Sequence, residues 1–225
     1  DWQLGLEAVG LLRRFGYTVA VPELPGSGMP LVQYGFLDAA RRRAERVVEA
    51  LLPYVESGST VVTTEPTAAY CLREVYPWLL NDERSRKVTS SVSDLIAFLS
   101  KDLEGSLTKE GPFSGLRAYR HVPCHMRGTG EEEITSRLLE MVGIEVFSED
   151  TGCCGMAGTW GLRSGVSRSQ LSLEIGRRVA ERVMGYSPQA IVTESSVCSL
   201  QLSQLTGLPV LHPVSVFTRV LEPNG

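Results

Sequence analysis

Four of the five cysteines have the type and grouping that a metal or redox centre requires. They occur in the second half of the chain as Cys124, the adjacent pair Cys153-Cys154, and Cys198. Thiolates are soft ligands that suit zinc or an iron–sulfur cluster. An odd number of cysteines and an adjacent pair are poor material for a disulfide framework. The pattern therefore favours a reducing compartment with metal or redox chemistry.

The adjacent pair favours a cluster over a single zinc ion. Neighbouring side chains point in different directions, so Cys153 and Cys154 are awkward ligands for one small tetrahedral ion. Zinc sites typically use cysteines two to four residues apart, and this chain has no such pair. Gly152 and Gly155 flank the pair and allow backbone N–H groups to approach inorganic sulfur. Zinc, or thiols that carry no ligand or are transiently redox-active, stay as alternatives, and Cys71 is predicted to be a buried apolar residue.

The hydrophobic pattern predicts alternating strands and helices, and hence an α/β fold with mostly parallel sheets. Each cysteine context follows the end of a predicted strand, and such loops meet at one edge of a parallel sheet. The predicted strands are Tyr17–Val21, Thr60–Thr64, Leu116–Val122, Ile144–Phe147, Ala190–Thr193 and Pro209–Leu211. The predicted helices are Leu4–Phe15, Gly35–Val55, Pro66–Leu80, Ser91–Leu99, Glu131–Val142, Ser169–Val183, Leu200–Leu205 and Pro213–Leu221.

When the chain is shifted by 127 positions, its two halves align without gaps for about thirty residues. Leu12–Tyr17 aligns with Leu139–Ile144, and Gly28-Met29 aligns with Gly155-Met156 at the same offset. We interpret residues 1–101 as a first βαβ-type repeat without cysteine ligands, 102–115 as a linker, and 116–225 as a second repeat that carries the cysteine site. The counterpart of the strand at 116–122 falls before residue 1. We therefore expect that the first repeat is truncated and that the sequence is a piece of a longer polypeptide, with a natural protein that lost its first strand as the alternative.

These residues resemble the cysteine-rich CCG domain family, whose motif is a cysteine, a later Cys-Cys-Gly and then Cys-x-x-Cys. The family occurs in iron–sulfur subunits of glycolate oxidase and anaerobic glycerol-3-phosphate dehydrogenase, in fused FAD-linked oxidases and in heterodisulfide reductase. Members commonly carry two such domains in tandem. The resemblance covers nearly the whole chain, and the segment Cys153–Gly161 is its most specific part.

The resemblance implies that Cys124, Cys153, Cys154 and Cys198 bind the metal. The implied cofactor is an iron–sulfur cluster of the 4Fe-4S type, with zinc as the alternative occupant. Ser195 stands where the motif has a further cysteine, so one thiolate of the family pattern is replaced by a weaker hydroxyl. Other residues expected to contact the cofactor are Gly152, Gly155, His125 and Ser195, with a structural role for His125 as the alternative.

The resemblance implies an iron–sulfur electron-transfer module of a flavin-linked 2-hydroxy-acid or glycerol-3-phosphate dehydrogenase, and thus an oxidoreductase subunit or fragment. The implied partners are a flavin dehydrogenase domain or subunit that holds FAD, a ferredoxin-type iron–sulfur domain, and a quinone or membrane complex as acceptor. The implied location is cytoplasmic, or peripheral at the inner face of the membrane through a partner. A zinc-stabilised docking domain and a thiol/disulfide redox site like that of heterodisulfide reductase are the competing hypotheses.

The charge balance argues against a nucleic-acid partner. The chain of 225 residues has 22 Lys and Arg against 26 Asp and Glu, which gives a formal charge of −4. Binding to a polyanion needs clustered positive charge, which this composition does not favour. Apolar residues make up 43 %, enough for a core that needs no disulfide support.

Overall fold

Short parallel strands alternate with helices along most of the chain. The computed structural model describes residues 2–163 and 166–222. The helices in chain order are α1 (Trp2–Arg14), α2 (Met29–Gln33), α3 (Leu37–Glu56), α4 (Pro66–Tyr70), α5 (Tyr76–Leu80), α6 (Glu83–Thr89), α7 (Leu95–Phe98), α8 (Ser100–Glu104), α9 (Glu131–Met141), α10 (Val166–Gly185), α11 (Ser196–Thr206) and α12 (Pro213–Leu221). The strands are β1 (Val61–Thr63), β2 (Val92–Asp94), β3 (Arg117–Arg120), β4 (Glu145–Phe147), β5 (Ala190–Val192) and β6 (Val210–Leu211). A π-helical turn, Cys71–Val75, joins α4 to α5, and a 3₁₀ turn, Trp160–Leu162, precedes α10.

The described residues divide into a small unit, residues 18–98, and a large unit, residues 2–17 and 99–222. The large unit has a four-stranded sheet in the order β4-β3-β5-β6, and every neighbouring pair is parallel. The connection from β3 to β4 runs toward one edge of this sheet and that from β5 to β6 toward the other. The neighbouring strands β3 and β5 therefore flank the topological switch point, where open α/β sheets bind their ligands.

Apolar side chains from β3, β5, α10 and α11 form the core of the large unit. Tyr119, Ile191 and Leu202 are fully buried in this cluster. Helices α10 and α11 approach closely at Gly176, where a β-carbon would lie 2.7 Å from the Gln201 amide nitrogen. The Gln201 amide donates to the Ser172 carbonyl oxygen at 3.0 Å and so joins the two helices by a buried hydrogen bond.

The small unit contains the parallel pair β1-β2 and a core dominated by helix α3. Cys71 is completely buried in this core, which confirms the expectation that it is an interior residue. Its thiol lies 3.4 Å from the Ser27 carbonyl oxygen, and burial raises the pKa of Cys71 to about 11. Cys71 is therefore an inert apolar side chain at neutral pH.

Two predicted elements are wrong. The segment 17–21 forms no strand. Its counterpart in the repeat alignment, β4, pairs only with β3, and the described residues contain no counterpart of β3 for 17–21 to join. The predicted helix Ser91–Leu99 is instead β2 followed by α7, because the Asp94 carboxylate accepts the Ile96 N–H at 2.9 Å and starts a new helix there.

The ends of α1 and α9 repeat the same backbone pattern. After α1, Gly16 has a φ of 84° and the Tyr17 N–H donates to the Leu12 carbonyl at 3.1 Å. After α9, Gly143 has a φ of 81° and the Ile144 N–H donates to the Leu139 carbonyl at 3.3 Å. These aligned segments end their helices with the same left-handed glycine cap, as a duplicated unit requires. The division into two repeats and a linker stays a prediction.

Within the described ranges, no helix has both the length and the apolar content needed to cross a bilayer.

Candidate metal centre

The four cysteines of the second half follow three neighbouring strands at the carboxyl edge of the large sheet. Cys124 comes after β3, the pair Cys153-Cys154 comes after β4, and Cys198 lies in the first turn of α11 after β5. The order β4-β3-β5 places these three segments side by side at the switch point. Side chains that are far apart in sequence are thus brought to one place by parallel pairing.

The inner part of this site consists of Cys154, Cys198 and His121, all buried. The sulfur atoms of Cys154 and Cys198 are 3.0 Å apart. A nitrogen of His121 and the two sulfur atoms all lie within 4.8 Å of one another. Two sulfurs and one imidazole nitrogen at this spacing are suited to holding one metal atom.

The outer part consists of Cys124 and Cys153, which are exposed. The thiol of Cys124 is hydrogen-bonded to the Cys153 sulfur, which also interacts with the Cys154 thiol. The Cys154–Cys198 contact completes a continuous series of four sulfur atoms from the surface to the interior. The centre therefore has one buried side and one side that a partner can approach.

Hydrogen bonding moves the pKa values of the four thiols in opposite directions. Hydrogen bonds with Cys124 and Cys154 lower the pKa of Cys153, and hydrogen bonds with Cys154, His121 and Ser195 lower the pKa of Cys198. The same hydrogen bonds, together with burial, raise the pKa of Cys124 and of Cys154. The site therefore retains thiol protons that a metal must displace.

The loop around Cys153-Cys154 has a backbone that aims its N–H groups at sulfur. Gly152, Gly155 and Gly158 have φ values of 85°, 93° and 64°, and Ala157 has a φ of 45°. The Gly155 N–H donates to the Cys153 sulfur at 3.3 Å. Successive N–H groups in left-handed turns form a cradle for negative charge. A β-carbon on Gly155 would lie 2.4 Å from the Ser172 carbonyl oxygen, so the loop can sit against α10 only with glycine there.

Arg127 fixes the start of this loop from the side of Cys124. Its guanidinium forms an ion pair with Asp150 at 2.6 Å and donates to the Gly152 carbonyl oxygen, also at 2.6 Å. Its positive charge also opposes the rise in the pKa of Cys124. Arg127 therefore ties the segment after β3 to the segment after β4, and it holds the first cysteine close to the adjacent pair.

Ser195 and His125 differ in how they relate to the sulfur atoms. Ser195 is buried at the N-terminus of α11, but its hydroxyl does not cap the helix. It forms a hydrogen bond with Cys198 instead. His125 is half-buried beside Cys124, and the buried three-residue set contains His121 in its place. Gly152 and Gly155 both lie in the cysteine loop, as described above.

A buried ion pair lies next to the inner part of the site. Arg120 and Glu194, exposed by 0 % and 1 %, are 2.5 Å apart and join the end of β3 to the end of β5. Arg120 also donates to the His121 carbonyl oxygen at 2.9 Å. Sequence reasoning missed Arg120, Glu194 and His121 as site residues. They could have been recognised from the sequence by their position at the carboxyl ends of two neighbouring strands.

The residues present fit a thiolate-bound metal or cluster. Two of the four cysteines are buried. A free cysteine that is buried only as a small apolar residue does not require other cysteines next to it. The described part of the chain also holds a buried imidazole nitrogen, Nδ1 of His121, without a hydrogen-bond partner. Buried polar atoms are nearly always paired, so this orphaned nitrogen indicates a missing ligand.

Comparison with known proteins gives a family match for the segment that carries this site. Residues 118–203 match the cysteine-rich domain family CCG. Over 222 residues the chain is 28 % identical to a protein of Escherichia coli K12 that is named as a subunit of anaerobic glycerol-3-phosphate dehydrogenase, and the match covers 97 % of this chain and 55 % of that protein. It is 26 % identical over 211 residues to the uncharacterized protein YkgE of the same organism, covering 89 % of this chain and 84 % of that protein.

A third relative is a much longer protein than this chain. The chain is 26 % identical over 212 residues to D-2-hydroxyglutarate dehydrogenase from Pseudomonas putida, covering 92 % of this chain and 20 % of that enzyme. The chain spans about half the length of the glycerol-3-phosphate dehydrogenase subunit. The likeness thus extends across both units of the chain, to proteins of different total length.

Proposed function

We propose that this chain, whose residues 118–203 match the cysteine-rich CCG domain family, is the electron-transfer module of a flavin-linked dehydrogenase. The observation that carries the proposal is the series of four sulfur atoms from Cys124 at the surface to Cys198 in the interior. Two relatives bear the names of dehydrogenases that act on glycerol 3-phosphate and on D-2-hydroxyglutarate. Both names support a role in oxidation of a hydroxylated substrate.

The proposed cofactor is an iron–sulfur cluster of the 4Fe-4S type, held by Cys124, Cys153, Cys154 and Cys198. When bound, such a cluster supplies a site that accepts and donates single electrons. The protein supplies the ligands, the N–H groups of the glycine loop and a buried inner wall. Hydrogen bonds to sulfur and exclusion of water are the means by which a protein sets a cluster's potential.

The proposed partners follow from the family and from the exposed side of the site. A flavin dehydrogenase domain or subunit that holds FAD would deliver electrons, with a ferredoxin-type iron–sulfur domain between the flavin and this centre. The final acceptor would be a quinone or a membrane complex, which places the protein in the cytoplasm or at the inner face of the membrane. Cys124 and Cys153 are the exposed residues at which a partner's cofactor can come close.

Anaerobic reconstitution with iron and sulfide tests this proposal. We expect a brown protein that contains iron and acid-labile sulfide. Cys198→Ala should lose most of both, whereas the matched substitution of a buried cysteine outside the site, Cys71→Ala, should keep them because Cys71 lies in the small unit's core. A colourless protein that takes up zinc stoichiometrically and no iron would overturn the electron-transfer role.

One observation favours a second candidate, a zinc-stabilised docking domain. The donor atoms of His121, Cys154 and Cys198 are mutually close enough for a single tetrahedral ion. In that case Cys124 or Cys153 would supply the fourth ligand. Metal analysis of protein purified without added metal, in strictly anaerobic buffer, separates the candidates: iron with sulfide supports the first, and one zinc without sulfide supports the second.

A further inference from the structure

His121 has the surroundings of a metal ligand. It is the first residue after β3, and it is 2 % exposed. Its backbone N–H continues the hydrogen bonding between β3 and β5 by donating to the Val192 carbonyl oxygen at 3.0 Å. That bond fixes the backbone of His121 at the switch point. The imidazole lies beside Cys154 and Cys198, and Nδ1 has no hydrogen-bond partner within the described residues.

The His121 imidazole is hydrogen-bonded to Cys198, which holds the ring against the sulfur atoms. The neighbouring charges, Arg120 and Glu194, are engaged with each other. A buried polar nitrogen without a partner is unfavourable, so Nδ1 indicates that a group is missing next to the ring. The ring nitrogen that lies near the two sulfur atoms is placed to bind a metal atom held by them.

We propose that His121 is a ligand of the same metal centre as Cys154 and Cys198, and so supplies the donor that is lost where Ser195 replaces the family's cysteine. This inference rests on the proposed metal centre. Ser195 is placed to assist, because its hydroxyl forms a hydrogen bond with Cys198. The result is a mixed thiolate–imidazole corner within an otherwise all-cysteine site.

For a single ion, the geometry needs only small movements. Metal–sulfur bonds of about 2.3 Å and metal–nitrogen bonds of about 2.0–2.1 Å place tetrahedral donor atoms roughly 3.5–3.8 Å apart. The three donor atoms already lie within 4.8 Å of one another. The Cys154 and Cys198 sulfur atoms, at 3.0 Å, need to separate slightly to admit the ion. A neutral imidazole in place of a thiolate also raises the potential of an iron–sulfur centre.

Pulsed electron paramagnetic resonance on protein labelled with ¹⁵N-histidine tests the proposal. The chain has three histidines, of which His212 caps α12 through Nδ1. The reconstituted, reduced protein should show coupling to a directly bound histidine nitrogen. The coupling should vanish in His121→Ala and persist in His125→Ala.

A double variant keeps the test valid if His121→Ala does not fold. His125→Ala with His212→Asn leaves His121 as the only histidine, and asparagine preserves the helix cap. Strong ¹⁵N coupling in this variant assigns the ligand to His121. Iron and sulfide bound at normal levels without such coupling would overturn the inference while leaving the proposed function intact.

If the metal is zinc, failure of the proposed function and failure of the inference about His121 can still be told apart. Uptake of zinc alone would contradict the proposed function. Zinc-edge X-ray absorption then decides the inference, because a nitrogen ligand in the wild type that disappears in His121→Ala supports it. A coordination shell made of sulfur alone would overturn it.

Discussion

The four cysteine side chains share their protons in an alternating pattern. Hydrogen bonding and burial raise the pKa values of Cys124 and Cys154, and hydrogen bonding lowers the pKa values of Cys153 and Cys198. Metals bind thiolate, so the retained thiol protons must leave when a metal enters. Metal affinity should therefore fall as the pH falls.

This predicts that zinc, used as a redox-silent probe, releases a proton from Cys154 at neutral pH, and a second one if Cys124 rather than Cys153 is the fourth ligand. Calorimetry in buffers of different ionisation enthalpy measures the release. The apparent affinity should rise with pH over the neutral range, and Cys71→Ala should behave like the wild type. Affinity that is independent of pH, with no proton release, would show that all bound thiols are already ionised.

At the scale of the elements, the glycine loop after β4 gives a matched pair of substitutions. Gly152 and Gly155 both have positive φ, but a β-carbon would meet nothing within 4 Å at Gly152 and would lie 2.4 Å from the Ser172 carbonyl at Gly155. The backbone strain costs about 1–3 kcal/mol at either position. The collision with α10 is added only at Gly155.

We expect Gly155→Ala to lower metal content sharply and to reduce stability more than Gly152→Ala does. Circular dichroism should show that both variants keep their helices. Metal analysis and thermal unfolding provide the comparison. Equal losses from the two substitutions would mean that the close contact between the loop and α10 does not hold the site in place.

The Arg120–Glu194 pair links the ends of β3 and β5. Removing one partner of a fully buried pair leaves an uncompensated charge, which costs about 3–5 kcal/mol. Glu194→Gln should therefore lower the free energy of unfolding by about that amount in denaturant titrations. The exposed pair Arg178–Glu174 on α10 provides the control, since Glu174→Gln should cost no more than about 0.5 kcal/mol. A loss below about 1 kcal/mol for Glu194→Gln would contradict the role given to this pair.

Sequence alone predicts the elements whose signals are local. The cysteines after β3, β4 and β5 mark the site, since each lies beyond a recognisable apolar strand. His121 and the Arg120–Glu194 pair escape prediction because their contacts exist only once β3 and β5 pair side by side. The error at Ser91–Leu99 has a similar origin, since Val92–Asp94 becomes a strand only by pairing with Val61–Thr63.

At the scale of the whole molecule, every candidate ligand lies in the large unit. The one cysteine of the small unit, Cys71, is buried in its core and is not a candidate ligand. A ligand stabilises the parts of a protein that bind it, by an amount set by its concentration relative to its dissociation constant. Metal binding should therefore protect the segments around the site and leave the small unit's exchange unchanged.

Hydrogen exchange with mass spectrometry, on metal-loaded and chelator-treated protein, measures this directly. Peptides from 117–126, 150–162 and 190–206 should exchange more slowly when metal is bound. Peptides from 37–56 should exchange at the same rate in both samples. An equal gain in protection in the small unit would contradict the assignment of the site to residues 118–203.

The central claim is that the four cysteines of the large unit hold a centre that carries single electrons. A redox titration of the anaerobically reconstituted chain, followed by electron paramagnetic resonance, tests it most directly. We predict a signal that appears and disappears reversibly with one electron, is abolished by Cys198→Ala and is unchanged in Cys71→Ala. A metal-loaded protein that stays silent across the whole range of potentials would contradict the claim.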